Sequence, residues 1–352
     1  MHRAARMFRT RGLAAVAMAG LLAMAAVPAA ASDRRGATAH HHSTAAAKQH
    51  RWTWKSGVFT GDGGSGDMAR DLQFGVWRGR AVKVATDYQD SATWTELARS
   101  FRIINNWGHQ HKTQLSLSLP MVSQLDPKME RTAAGRNNHW YTVMGKNLVA
   151  AGLGHSIIRP GWEFNAPFYA WKVGSPAQAQ VFVQAWRQIV RTLRAVPGAH
   201  FTFDWCVITG GKGLYAHPAQ AYPGNKYVDY IGADVYDWNE RRLNESATQR
   251  WHDIVHFGTG LAWQAHFAAR HHKQLSYPEW ALVADVVSPG MSGNDDPAFI
   301  RHMLHWFKTH DIAYEDYFNH DGVIDSVHFG LTTTNSFPKS RALYRRLWAK
   351  PS

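Results

Sequence analysis

The chain has 352 residues, 45% hydrophobic and 12% aromatic, which is enough to bury one large core, so intrinsic disorder and a disulfide-stapled miniprotein are both excluded. The formal charge is +13, but Lys and Arg are scattered and form no basic stripe interleaved with aromatics, so no nucleic-acid partner is expected. Cys206 is the only cysteine, so no intramolecular disulfide can form and stability must come from the core.

The longest apolar run, Leu13 to Ala31, stands behind Arg3, Arg6, Arg9 and Arg11 and ends in Ala29-Ala30-Ala31. That is the pattern of a signal peptide over residues 1–31, cleaved after Ala31, and it predicts a secreted protein, extracellular or periplasmic. Without the four arginines the formal charge falls to +9. No later stretch approaches the roughly 20 apolar residues of a membrane span, so no membrane partner is expected. Residues 32–54 are rich in Ala, Ser, Thr, Arg and His and show no periodicity, which predicts a flexible leader. His40 to His42 lack acidic or Cys companions and read as part of that leader rather than as metal ligands. The Gly61 to Asp67 segment reads as a loop without EF-hand spacing.

From about residue 73, short β-branched or aromatic runs alternate with longer segments carrying apolar residues every three or four positions. Strands are predicted at Gln73 to Trp77, Ala81 to Tyr88, Gln114 to Pro120, Ser156 to Phe164, Phe201 to Val207, Val228 to Tyr236, Gln274 to Leu282 and Glu315 to His320. Helices are predicted at Ala92 to Trp107, Trp140 to Ala151, Pro176 to Val196, Thr248 to His271 and Pro297 to His310. Strands alternating with helices argue for an α/β fold with a parallel sheet. Eight of them over about 245 residues match a (β/α)₈ TIM barrel of roughly 250 residues. A doubly wound sheet would carry a Gly-rich phosphate turn, and none occurs. The expected organisation is one barrel domain over residues 55–352.

In such a barrel the reactive groups sit where strands end and loops begin. The fourth predicted strand ends in Trp162-Glu163-Phe164-Asn165, and the seventh in Pro278-Glu279-Trp280. Two carboxylates at the mouth of one pocket are what glycoside hydrolysis requires: one protonated to serve the leaving oxygen, the other ionised to attack. Apolar Trp162 and Phe164 would raise the pKa of Glu163, and hydrogen-bond donors would keep Glu279 charged. Glu163 is therefore the candidate acid/base and Glu279 the candidate nucleophile. No cofactor or metal is required. His109-x-His111 and His271-His272 read as solvated basic segments. Cys206 is a poor candidate for a thiol nucleophile, and Trp77, Trp107 and Trp263 have the spacing of core residues.

Three segments, in order, resemble glycoside hydrolase family 26, the β-mannanase family of retaining barrel glycosidases: Arg159-Pro160-Gly161-Trp162-Glu163-Phe164-Asn165 with Phe168-Tyr169-Ala170-Trp171, Tyr222 to Trp238 containing Pro223-Gly224-Asn225-Lys226-Tyr227-Val228-Asp229, and Ser276-Tyr277-Pro278-Glu279-Trp280. The likeness covers about residues 55 to 350. It implies that Tyr236 orients Glu279 by a hydrogen bond and that Asp234 and Trp238 line the same rim. It also implies that Asp204 and Trp205 face the sugar and that Trp171 is a stacking platform, with Arg159, Trp162, Asn165 and Trp280 completing the substrate-contact set. One departure stands out: Trp162 occupies the position before the acid/base where many members carry His, and Ala166-Pro167 replaces a Gly and a small polar residue. The expected function is a retaining hydrolase of β-linkages in a mannan-type or related β-glycan. Mixed-linkage glucan, xylan or a bacterial exopolysaccharide are the alternatives within that chemistry, and a non-catalytic polysaccharide-binding barrel the alternative outside it.

Overall fold

The computed structural model describes residues 52–62, 65–110, 112–285, 290–320 and 327–349. The predicted signal peptide, His40 to His42 and His111 lie outside them.

Eight parallel strands form the sheet: Lys55–Phe59, Val84–Tyr88, Gln114–Leu119, Ile157–Pro160, Thr202–Ile208, Tyr230–Tyr236, Gln274–Ala281 and Ile312–Phe318. Their order is first, eighth, seventh, sixth, fifth, fourth, third, second, with every neighbour parallel, and helices lie between the strands. The first and second strands meet across the remaining seam, where Lys83 N–H donates to the Ser56 carbonyl at 3.0 Å, giving a nearly closed (β/α)₈ barrel. Gly57 permits that approach: a Cβ there would lie 2.1 Å from the Val84 carbonyl and 1.7 Å from the Asp316 carboxylate.

Gln73 to Trp77 is the end of a helix, Met68–Trp77, not a strand. Asp67 caps it, accepting from Ala69 and Arg70 N–H at 3.0 and 3.2 Å. Phe74 and Trp77, one turn apart with ring centroids 5.0 Å from each other, both pack on Tyr344, a helical spacing that overrides local strand propensity. The true first strand, Lys55–Phe59, follows directly on the predicted leader, and the last leader residues are not free. Trp54 is buried and stacks on Trp52 at 4.8 Å, and the Arg80 guanidinium sits 3.9 Å over the Trp52 ring.

The Ala92 to Trp107 helix breaks at Ser100, whose φ of +46° ends Trp94–Arg99 before Phe101–Trp107 begins. The Thr248 to His271 helix is likewise two, Ala247–His256 and Leu261–His271. Trp107 is buried in the core as expected, its indole N–H held by Asp87 at 2.7 Å. Trp77 and Trp263 are half-buried against it.

Strand alternation divides the chemistry. On the fifth and sixth strands Asp204, Cys206, Asp234 and Tyr236 share the inner face, while Trp205 and Val235 point to the helices. The seventh strand would follow suit except for a bulge: Ser276 pairs with Gly232, but Glu279 pairs with Asp234, so one extra residue is spent at Tyr277–Pro278. Ser276 and Glu279 thereby both face inward, and Trp280 faces out.

Candidate active site

Glu163 sits three residues beyond the end of the fourth strand. The chain turns there through two left-handed residues, Gly161 at φ +58° and Glu163 itself at φ +50°. At Gly161 a Cβ would lie 2.4 Å from the Met121 sulfur, so the tight exit needs glycine. A left-handed glutamate is strained by about 1–3 kcal/mol and persists only where its surroundings hold it. Here its N–H donates to the Cys206 carbonyl at 3.0 Å and its carbonyl accepts from Ala166 N–H at 2.9 Å. The turn aims the carboxylate at the barrel axis and brings it beside Glu279. Each of Glu163, Asp234 and Glu279 has a carboxylate oxygen within 4.8 Å of the others, and all three are buried.

One guanidinium organises this triad. Arg159, fully buried on the fourth strand, donates through Nη1 to Glu279 Oε1 at 3.1 Å and to Ser118 Oγ at 2.9 Å. Through Nη2 it donates to both oxygens of Asp234 at 2.9 and 2.7 Å. Its charge sits among the same carboxylates a metal ion would need and already bonds two of them, so the cluster is built around a guanidinium. Tyr236 closes the other side of Glu279, its hydroxyl donating to Oε2 at 2.6 Å. Both oxygens of Glu279 thus accept from donors suited to an ionised carboxylate.

Glu163 has the opposite environment. Burial, and after it the negative charge of Glu279, push its carboxyl up to about 8, against the pull of Arg159 and a hydrogen bond with Tyr169. Burial also pushes the Asp234 carboxyl well above its ordinary range, against the pull of Arg159, which bonds both of its oxygens, whereas Glu163 has no bond to the guanidinium. A carboxyl raised by burial thus lies beside one whose two oxygens both accept hydrogen bonds.

The structure redistributes the expected sugar contacts. Trp205 faces outward, its N–H bonded to the Ala221 carbonyl at 3.1 Å and its ring packed on Phe164, Tyr222 and Phe267. Trp280 is likewise core, its N–H 2.7 Å from Glu315 and its ring against Tyr317 and Trp348. In both cases the neighbouring acid faces inward, and adjacent strand residues cannot share a face. Asp204 is sealed deeper in the barrel, bonded by Ser276 Oγ at 2.8 Å and by the Tyr314 hydroxyl. Asn165 uses both ends of its amide on the Ile208 backbone, at 2.9 Å each, and so ties the loop to the fifth strand. Arg159 and Asp234 belong to the site but lie buried, out of a sugar's reach. Trp171 is no open platform: Tyr169 lies flat on it at 4.5 Å and 10°, and its N–H donates to the Trp162 carbonyl at 2.8 Å. Trp162 is nearly buried between Tyr88, Tyr169 and Trp171, and Trp238 remains half-exposed on the loop after the sixth strand.

Two aromatics join the site from outside the expected set. Tyr88 ends the second strand with its buried hydroxyl facing the negative charge of Glu279, and Tyr169 reaches Glu163. Its place as the last residue of the second strand was the available signal for Tyr88. Cys206 is buried with Sγ 3.3 Å from Asp234 Oδ1, and burial pushes its thiol up, so it is a proton donor within the cluster rather than a nucleophile. His271 bonds Asn225 at 2.8 Å at a helix end.

Residues 144–270, spanning the fourth to sixth strands, match the model of Glycosyl hydrolase family 26. Endoglucanase H of Acetivibrio thermocellus is 25% identical over 166 residues, 46% of this chain. The chain spans only 17% of the length of that curated relative. Among solved structures, GH26C of a Muricauda species superposes with a TM-score of 0.54 at 13% identity, covering 85% of this chain and 86% of that one. The catalytic domain of the GH26 endo-β-1,4-mannanase of Bacillus sp. JAMB-750 gives 0.52 at 16% identity, covering 84% and 87%. These likenesses are ones of fold. The segments around Glu163 and Tyr236 both lie inside the region that matches the family 26 model.

Proposed function

We propose that this protein is a secreted retaining glycosidase that cleaves β-linkages within a polysaccharide. The observation that carries the reading is the pairing of a buried Glu163 with a doubly hydrogen-bonded Glu279, their nearest carboxylate oxygens within 4.8 Å. Retaining enzymes hold the two carboxyls about 5–5.5 Å apart, whereas inversion needs about 6.5–9.5 Å to admit a water between carboxylate and sugar.

In the first step Glu279 Oε attacks the anomeric carbon, the glycosidic C–O bond breaks, and the Glu163 proton passes to the departing oxygen. In the second, Glu163, now ionised, takes a proton from water as that water displaces Glu279 from the anomeric carbon. Tyr236 and Arg159 hold the nucleophile in place through both steps, and Trp162, Tyr88 and Trp238 border the sugar. A mannan or a glucan is the substrate class favoured by the named relatives, an endoglucanase and an endo-β-1,4-mannanase. Residues 1–31 supply the export signal, and the mature chain starts at Ser32, which N-terminal sequencing of the exported protein would check.

The test is reducing-end release from mannan, mixed-linkage glucan, xylan and an acidic exopolysaccharide, with the anomeric configuration of the first product read by NMR. Release with retained configuration, abolished by Glu163→Gln and by Glu279→Gln, is the expected result. Inverted product, or release untouched by either substitution, would overturn the mechanism. Binding without release would leave a polysaccharide-binding barrel.

A further inference from the structure

We infer that Tyr169 is the positioning residue of the acid/base carboxylate, held in place by Trp162 and Trp171, so that each of the two paired glutamates is steered by its own tyrosine hydroxyl. The inference rests on the glycosidase reading for its meaning in catalysis, but not for its geometry.

All three aromatics come from the loop that follows the fourth strand, the same loop that carries Glu163. The Tyr169 hydroxyl accepts the Trp162 indole N–H at 3.1 Å. An oxygen that accepts there has its own proton free to point elsewhere, and Glu163 is the carboxylate within its reach. The ring cannot swing away, because it lies flat on Trp171 at 4.5 Å and is flanked by Phe168 at 4.8 Å. Trp171 is fixed in turn by its N–H on the Trp162 carbonyl at 2.8 Å, and the loop is pinned at its far end by Val173 N–H on the Phe164 carbonyl at 2.7 Å. The Trp162 indole thus sets the Tyr169 hydroxyl, and on our inference the chain of donors continues from it to the Glu163 carboxylate. It is the counterpart, on the acid/base side, of Tyr236 on Glu279.

This arrangement gives Trp162 a task. An indole at that position cannot exchange a proton with its neighbours, but it donates one permanently, and it spends that donor on orienting Tyr169. Tyr169 in turn favours the ionised form of Glu163, the form that serves as base in the second step, against the burial and the Glu279 charge that favour the acid. Its expected effect is on the balance between the two roles of one carboxyl rather than on sugar affinity.

The experiment is a ¹³C NMR titration of the protein labelled at the glutamate side-chain carboxyl carbon, with Glu163→Gln identifying the Glu163 signal by its loss. In Tyr169→Phe the Glu163 midpoint should move upward by about one pH unit, the size expected for one hydrogen bond to a charged group. Trp162→Phe, which removes the indole donor but leaves the phenol, should move it in the same direction by less, and it serves alone if Tyr169→Phe does not fold. An unchanged or lowered midpoint in the folded variants overturns the inference. Glycan hydrolysis by the same proteins separates the two readings. A shifted midpoint in a protein that hydrolyses nothing leaves Tyr169 standing and removes the glycosidase, whereas hydrolysis with an unmoved midpoint removes Tyr169 alone. Where both hold, the alkaline limb of kcat/KM in Tyr169→Phe moves up with the midpoint while KM stays put.

Discussion

The hydroxyl of Tyr236 lies 2.6 Å from Glu279 Oε2, while Arg159 holds Oε1 of the same carboxylate at 3.1 Å, so Glu279 is gripped at both oxygens by groups from two different strands. A carboxylate held in this way cannot rotate, and under the proposed mechanism the attacking oxygen is always presented in one orientation. Tyr236→Phe deletes one grip with no change of shape. A hydrogen bond to a charged group contributes about 1.5–3 kcal/mol, which predicts a fall in kcat/KM of roughly 10- to 100-fold with little change in Tm. Steady-state kinetics on the substrate found in the panel would check it, and unaltered kcat/KM would show that Arg159 alone positions Glu279.

The carboxyl of Glu163 keeps its proton up to about pH 8, whereas a glutamate in the unfolded chain releases it near about 4.3. Between those values the folded protein holds a proton that the unfolded chain has lost, so folding is disfavoured progressively as pH rises. The contribution of this carboxyl is fully present below about pH 4.3 and is gone above about 8. Glu163→Gln is neutral at every pH and should therefore melt higher than the wild type, with the gap growing by several degrees between about pH 5 and about pH 9. Thermal unfolding across that range reads it directly. A gap that shrinks with pH would mean that Glu163 is ionised in the folded protein. Activity should lose its acid catalyst over the same upper range, with an alkaline limb near pH 8.

Arg159 is the hub whose loss is expected to be most damaging. Its side chain bonds Asp234 twice and Glu279 once in a fully buried setting, so Arg159→Met would leave two buried acids without their cation. Breaking a buried pair from one side costs about 3–5 kcal/mol. The double substitution Arg159→Met with Asp234→Leu should recover part of that loss, because the stranded charge goes with it. Denaturant unfolding of the single and double variants would check both. A double variant less stable than Arg159→Met would show that Asp234 contributes packing rather than an unpaired charge.

The tryptophans divide by the face they occupy. Trp205 and Trp280 are core residues, and truncating either to Ala should cost about 3–5 kcal/mol of stability. Trp238 is half-exposed on the rim, so Trp238→Ala should leave Tm within about 2 °C while raising KM for the polysaccharide. Paired melting and kinetic measurements would separate the classes, and a Trp238→Ala protein with native KM would remove Trp238 from the substrate path.

Much of this protein was determined by its sequence. The alternation of strand and helix patterns fixed the barrel, and the polar residue closing an apolar run located Glu163 and Glu279, because a barrel places its chemistry where strands end. The matched strand-six segment, with its alternating Asp234 and Tyr236, put both on one face, since a strand has a period of two. Other features depended on contacts distant in sequence. The first strand was hidden because Lys55–Phe59 lies against leader-like residues and its partner, Ile312–Phe318, is some 250 residues away. Gln73 to Trp77 has strand composition and is helical because Phe74 and Trp77 must both meet Tyr344. The bulge at Tyr277–Pro278, which turns Glu279 inward and Trp280 outward, exists only in register with the sixth strand. The same holds for Arg159, which the sequence placed beside the sugar: a guanidinium goes where its carboxylates are, and Asp234 and Glu279, 75 and 120 residues away, converge on it only after the barrel has closed.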